Sequence, residues 1–225
     1  IKNGKPERVF RFGGGLGDHL LCTILFHQLK KKCHNKIWMM SFYPKLFLGN
    51  PSVDRVVPDN WRVVKYCEKF NKEVVLLSYG KWIGDLDRIH PPEKHMITEI
   101  LEKVEFQGKF KLKPRFFANS VSPIKGKFVC IQGTNTFSST PVKNKQWEQS
   151  KMNQIALWLS KKHSVVQVGL KNEDRLEGTI DYREKLSISK LGAVLKDSLF
   201  FIGQEGFIMH LARSQDNGYE NWLQD

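Results

Sequence analysis

Cysteine is scarce in this chain of 225 residues. The four present, Cys22, Cys33, Cys67 and Cys130, form no Cys-x-x-Cys pair and have no histidine at ligand spacing. That argues against a disulfide framework and a structural metal site, and fits reduced thiols in a cytoplasmic setting. Long apolar runs are missing too: none approaches the ~18–20 residues that span a bilayer. Acidic residues are thin in one half only. Residues 1–125 carry 23 basic and 12 acidic side chains, whereas residues 126–225 carry 13 and 11. The net +13 is therefore mostly a property of the first half, which suggests two modules, the first facing something anionic. Aromatics are not lacking. With 15 Phe, 6 Trp and 40% apolar residues, the chain can fill a core, and intrinsic disorder is excluded as its main state.

Short apolar runs alternate with helical patterns. Residues 7–12 alternate as a strand and stop at a glycine cluster. From Asp18, the apolar Leu20, Leu21, Ile24, Leu25 and Leu29 share one helix face, closed by Lys30, Lys31 and Lys32. Strands are expected at 36–41, 55–57 and 73–79, with a helix at 95–104. Residues 106–125 lack a period, contain Pro114 and Pro123, and read as a linker. Beyond it, strands at 127–132, 164–169 and 198–203 alternate with helices at 147–162, 189–195 and 207–213. Strands joined by helices imply parallel sheets covered on both faces. The polar stretch 217–225 stands where a further strand is expected, which suggests that a segment is missing after about residue 216.

The loop Gly13-Gly14-Gly15-Leu16-Gly17-Asp18 joins the first strand to a helix, where backbone N–H groups and a positive helix end face ligands. A dinucleotide fingerprint fails here, because its third glycine would fall on Asp18 or Leu20. No acidic residue closes the second strand (Met39-Met40-Ser41) to hold a ribose, and no Lys-Ser or Lys-Thr follows the glycines. NAD binding and a P-loop are both excluded. The carboxylate opening the helix has two readings, a helix-terminus cap and a general base at the sheet edge. His19, beside it, is either an exposed helix histidine or a residue that binds acceptor or orients Asp18. His27 reads as structural. Asp85 and Asp87 sit close together but read as a solvated loop, and Trp38, Met39 and Met40 read as core.

The stretch RFGGGLGDHLLCTILFHQLKK, followed by a strand and NPSVDRVVP, resembles the amino-terminal signature of glycosyltransferase family 9, the ADP-heptose:lipopolysaccharide heptosyltransferases and their relatives. Two further stretches resemble that family in the expected order: GTNTFSSTPVKNKQW, with its Lys145-Gln146-Trp147, and IGQEGFIMHLA. Here Glu205 stands where the family has Asp, and Gly206 falls one position early. The resemblance implies an α/β fold of the GT-B type, two Rossmann-like domains with parallel sheets facing across a cleft. The expected domains are an acceptor domain at 1–105, the linker at 106–125 and a nucleotide-sugar domain at 126–225. It also implies that Asp18 is the catalytic base, with Gly14, Gly15, Gly17 and His19 around it on the acceptor side. Thr134, Asn135, Thr136, Lys145, Glu205, Gly206 and His210 would bind the donor.

The implied activity is inverting, metal-independent sugar transfer from a nucleotide-diphosphate donor to a surface glycan such as lipopolysaccharide core or capsule. No cofactor or metal is expected. The expected partners are the nucleotide sugar and an anionic glycan or glycolipid, with peripheral contact to an anionic membrane a further option. The expected location is cytoplasmic, or peripheral at the inner membrane face. Two other readings compete: a basic nucleic-acid-binding module, which the interleaved KFKLKPRFF at 109–117 superficially suggests, and a catalytically degenerate glycan-binding relative.

Overall fold

The structure is a computed structural model and describes residues 8–32, 36–70, 72–77, 94–117, 119–134 and 145–215. Cys33, Asp85, Asp87, Asn135, Thr136 and the tail 217–225 lie outside the described residues. The chain divides into two units, Ile1–Arg115 and Phe116–Asp225, so the division falls within the stretch read as a linker.

The first unit runs β1 (Arg8–Phe12), α1 (Leu16–Lys32), β2 (Ile37–Ser41), a 3-10 turn (Pro44–Phe47), β3 (Arg55–Pro58), α2 (Trp61–Lys69), β4 (Glu73–Leu77) and α3 (Met96–Lys103). Its four strands form one parallel sheet in the order β3-β2-β1-β4. Alternate residues of the central strand serve opposite faces. Val9 packs with Trp38, Met40, Val57 and Cys67 on the α2 side, while the Phe10 ring meets Phe26 of α1 at 5.5 Å. A strand buried on both faces needs apolar residues at successive positions, which is why β2 reads Ile-Trp-Met-Met without alternation. Each such side chain contributes roughly 1.5–3 kcal/mol of burial.

The second unit runs β5 (Phe128–Gln132), α4 (Gln149–Ser160), β6 (Ser164–Val168), β7 (Ile180–Asp181), α5 (Ile188–Asp197), β8 (Phe201–Ile202) and α6 (Phe207–Ser214). These strands are also all parallel, in the order β7-β6-β5-β8. Val129 and Ile131 of β5 pack with Met152, Ala156 and Leu159 of α4. The strand expected at 198–203 is regular over two residues only, because Ser198 closes α5. Backbone bonds from Leu199 N–H to Phe128 O and from Cys130 N–H to Phe200 O lengthen its pairing with β5.

Both sheets reverse direction beside their first strand: the chain builds outward on one side, then crosses to the other. The reversals lie at β1/β4 and at β5/β8. Open parallel sheets bind ligands outside the carboxyl ends of their strands at such a reversal. That geometry nominates the glycine loop after β1 in the first unit, and the loops after β5 and β8 in the second. Among the described residues no helix is long and apolar enough to cross a membrane.

Candidate functional site

At the first edge, α1 begins two residues earlier than the apolar pattern suggests. The Gly15 carbonyl accepts the His19 N–H at 3.1 Å, which makes Gly15 the cap residue. A glycine has no side chain to cap with. Asp18, three residues on, reaches back instead, and its Oδ2 accepts the Gly15 N–H at 2.8 Å. This is the carboxylate half of a capping box, in a first turn whose dipole favours an anion. The cap and base readings of Asp18 are compatible, since the side chain that makes the cap is only half-buried.

Gly14 is held to glycine by close approach. A Cβ there would lie 2.0 Å from the Phe12 ring and 2.7 Å from Asp18 Oδ2, whereas at Gly15 the nearest atom would be 3.6 Å away. Gly17 lies inside the first turn of α1. His19 is 0% exposed, so of its readings the exposed helix histidine does not hold. Its Nδ1 is 2.9 Å from Ser41 Oγ, and the rings of Phe12 and Tyr43 stand edge-on to it at 5.4 and 5.0 Å. Burial lowers its pKa to about 4, partly offset by the Gly14 and Phe12 carbonyls and by Asp59, so the ring is neutral at pH 7.

Asp59 escaped the sequence reading. Its carboxylate, just past β3, is buried and takes a forked contact from Arg11 of β1: Nε lies 3.1 and 3.0 Å from its two oxygens and Nη2 3.0 Å from one. The available signal was an Asp-Asn pair just past an expected strand, a weak one. His27 is structural as expected, its ring 2.6–2.7 Å from Arg115 Nη1.

At the second edge the loops after β5 and β8 are tied together, Gln204 Nε2 donating to Gly133 O at 2.9 Å. Next to Gln204, Glu205 forms an ion pair with Lys145, and its other oxygen lies 3.5 Å from His210 Nε2. Hydrogen bonding to His210 and then Lys145 outweighs partial burial and lowers the Glu205 pKa to about 2. Gly206 caps α6, its carbonyl accepting the His210 N–H at 3.1 Å. Lys145, Glu205, Gly206 and His210, separated by up to 65 positions, thus form one cluster at a helix N-terminus. Thr134 is half-buried on the loop after β5.

Glu173 was also missed. It is buried in the loop after β6, and neither carboxylate oxygen has a hydrogen bond of full geometry among the described residues. Gly169, at φ +142°, makes room for it, since a Cβ there would sit 2.2 Å from Glu173 Oε2. Burial raises its pKa to about 7, only partly countered by Leu170, Gln132 and Arg183. A Gly-x-x-x-Glu spacing after a strand was the one available signal, and a weak one. Among the described residues no group of three or more His, Cys, Asp or Glu is placed to hold a metal.

Two parallel α/β units, each with polar groups at its strand reversal, define the Rossmann-like class of fold. Solved structures carry this fold closely. One is the dodecameric iron-containing heptosyltransferase TibC of enterotoxigenic E. coli, in complex with ADP-D-beta-D-heptose: TM-score 0.68 at 17% identity, over 93% of this chain and 56% of TibC. The chain thus spans little more than half of TibC's length. A glycosyltransferase family 9 protein from Veillonella parvula matches at TM-score 0.65 and 13% identity, over 93% of this chain and 79% of that one. The E. coli heptosyltransferase WaaC with ADP matches at 0.60 and 13%, over 93% and 85%. No protein-family model matches the chain, and no curated protein sequence does. At such identities the likeness is one of fold.

Proposed function

We propose that this chain carries a glycosyltransferase that moves a sugar from a nucleotide-diphosphate donor to a hydroxyl of a glycan or glycolipid acceptor, with inversion. The observation that carries this reading is a carboxylate held by the loop at the first sheet's reversal, in a fold whose solved neighbours are glycosyltransferases. Asp18 takes the acceptor's hydroxyl proton as that oxygen attacks the anomeric carbon from the face opposite the diphosphate. The leaving diphosphate departs toward Lys145, His210 and the N-terminus of α6, whose partial positive charge complements it without a divalent ion. Glu205 pairs with Lys145, so in this reading diphosphate binding exchanges one anion for another. The positively charged first half suits an anionic acceptor, in keeping with action at the inner face of a membrane.

General base catalysis is worth typically ~10²–10⁴-fold. Asp18→Asn is therefore expected to lose at least ~100-fold in turnover while a nucleotide-sugar panel still stabilises it thermally as it does the unaltered protein. Near-normal turnover in that variant would sink the assignment. The nucleic-acid reading gains nothing from residues 109–117: Phe110 meets Phe106 edge to face, Arg115 holds His27, and Phe116 is buried.

A further inference from the structure

We propose that the carboxyl edge of the first sheet docks on an anionic lipid surface, with Phe42 and Trp61 entering the interface and Lys45, Arg62 and Lys65 meeting the headgroups. This deepens the acceptor side of the reading above and rests on it there: the acceptor is a glycolipid carried in such a surface, and Asp18 stands on the same edge.

The placement follows from the strand register. Ser41 of β2 pairs with Pro58 of β3, so the chain leaves the two strands side by side, at Phe42 and at Asp59. Trp61 opens α2 two residues further on. On the other flank of β2, Met40 pairs with Arg11 of β1, and the glycine loop that carries Asp18 follows one residue after that strand's next position. Phe42 is 61% exposed and Trp61 63%, although the residues around them are fixed inward. Ser41 and the Tyr43 ring meet His19, and Leu46 and Phe47 are buried. Beyond Trp61, Val63, Val64 and Cys67 pack on the sheet. The core thus uses neither ring, and a polar side chain would serve the fold equally at both positions. One exposed apolar residue is ordinary; two large aromatics at adjacent strand ends, beside the loop of the proposed base, form a surface.

Charge on this edge is of one sign. Between residues 41 and 65 the carboxylates are Asp54 and Asp59, and each is in an ion pair, with Lys30 and with Arg11. Lys45, Arg62 and Lys65 are exposed. Two of them lie over the Trp61 ring, Lys65 Nζ at 5.0 Å and Arg62 Cζ at 5.7 Å from its centroid. Aromatic rings flanked by long cations suit a bilayer interface: the rings sit at the acyl boundary while the ammonium and guanidinium groups reach the phosphates. A nucleic-acid surface would offer an open ring for a base to stack on, whereas this ring already carries two cations of its own chain.

The test sediments the full chain with vesicles of phosphatidylcholine alone, or of phosphatidylcholine and phosphatidylglycerol in equal parts. Binding to the mixed vesicles is expected to be at least about 10-fold tighter and to weaken with salt. Arg62→Gln with Lys65→Gln should weaken it at least about 10-fold, since each basic residue near an anionic surface is worth about 5-fold. Lys109→Gln with Lys111→Gln removes the same charge from exposed positions after α3 and should weaken it less than about 3-fold, both sites lying apart from the surface. Tryptophan emission of the unaltered chain should move to shorter wavelength on the mixed vesicles, and Trp61→Phe should lose most of that movement. All these side chains are exposed, so the variants keep the fold. Equal binding to the two kinds of vesicle, equal losses in the two double variants, or an emission shift that survives Trp61→Phe overturns the proposal. So does tighter binding of single-stranded DNA than of mixed vesicles, which assigns the edge to nucleic acid. Vesicle binding needs no donor, so a chain that docks through this edge and transfers no sugar loses the transferase reading alone.

Discussion

Two adjacent glycines in the loop after β1 face opposite demands. A Cβ on Gly13 would meet nothing within 4 Å, while one on Gly14 would run into the Phe12 ring at 2.0 Å and Asp18 Oδ2 at 2.7 Å. The ring cannot retreat easily, because Phe12 is buried against its strand and stands edge-on to His19. Overpacking of this kind costs typically 1–3 kcal/mol. Gly14→Ala is therefore expected to lower the stability of the first unit by about that amount and to displace Asp18, whereas Gly13→Ala should unfold like the unaltered chain. Urea titration of the two variants checks this, and equal midpoints would refute it. The composition of the loop was legible in the sequence, but the division of labour within it was not. Which glycine is obligatory depends on where an aromatic ring two residues upstream folds back, and no local pattern encodes that.

At the scale of elements, most strands and helices were legible because their apolar period is strong. The helix α2 was the main omission. Its sequence, Trp-Arg-Val-Val-Lys-Tyr-Cys-Glu-Lys, has adjacent β-branched residues that speak for a strand, while Val63, Val64, Tyr66 and Cys67 pack on the core of the sheet. What makes it a helix is its start: Asn60 Oδ1 accepts the Val63 N–H at 3.1 Å. Replacing an asparagine cap by alanine costs ~1 kcal/mol, and aspartate is an equally good cap. Asn60→Ala should lower the first unit's thermal midpoint by several degrees, with Asn60→Asp near the unaltered value. Equal losses in both variants would show that the cap does not hold α2. Polar hubs were illegible for a different reason. Gln167 is a polar residue within the apolar run of β6, yet it is buried, accepting Leu176 N–H at 2.8 Å and donating to Asp174 O at 2.8 Å, and so organises the loop that carries Glu173. The cluster of Lys145, Glu205 and His210 was legible only through resemblance, because its members are joined by the sheet's order of strands and not by spacing.

For the whole molecule, the two units respond to pH with opposite sign. His19, in the first unit, has its pKa lowered from 6.5 to about 4. Between those values the unfolded chain takes up a proton that the folded unit refuses, so the first unit loses stability as pH falls from 6.5 toward 4. Glu173, in the second, has its pKa raised from 4.5 to about 7. Between those values the folded unit keeps a proton that the unfolded chain releases, so the second unit loses stability as pH rises from 4.5 toward 7. At ~1.4 kcal/mol per pH unit of difference, moving from pH 7.5 to pH 5 should cost the first unit about 2 kcal/mol and stabilise the second by a similar amount. Calorimetry at the two pH values should therefore show one transition moving down and another moving up on acidification. Glu173→Gln should abolish the upward movement and leave the downward one intact. If the units melt together, the single transition should change little with pH in the unaltered chain and should fall on acidification in Glu173→Gln, once the compensating carboxyl is gone. A Glu173→Gln protein with the pH dependence of the unaltered chain would mean that the buried acid does not titrate in this range.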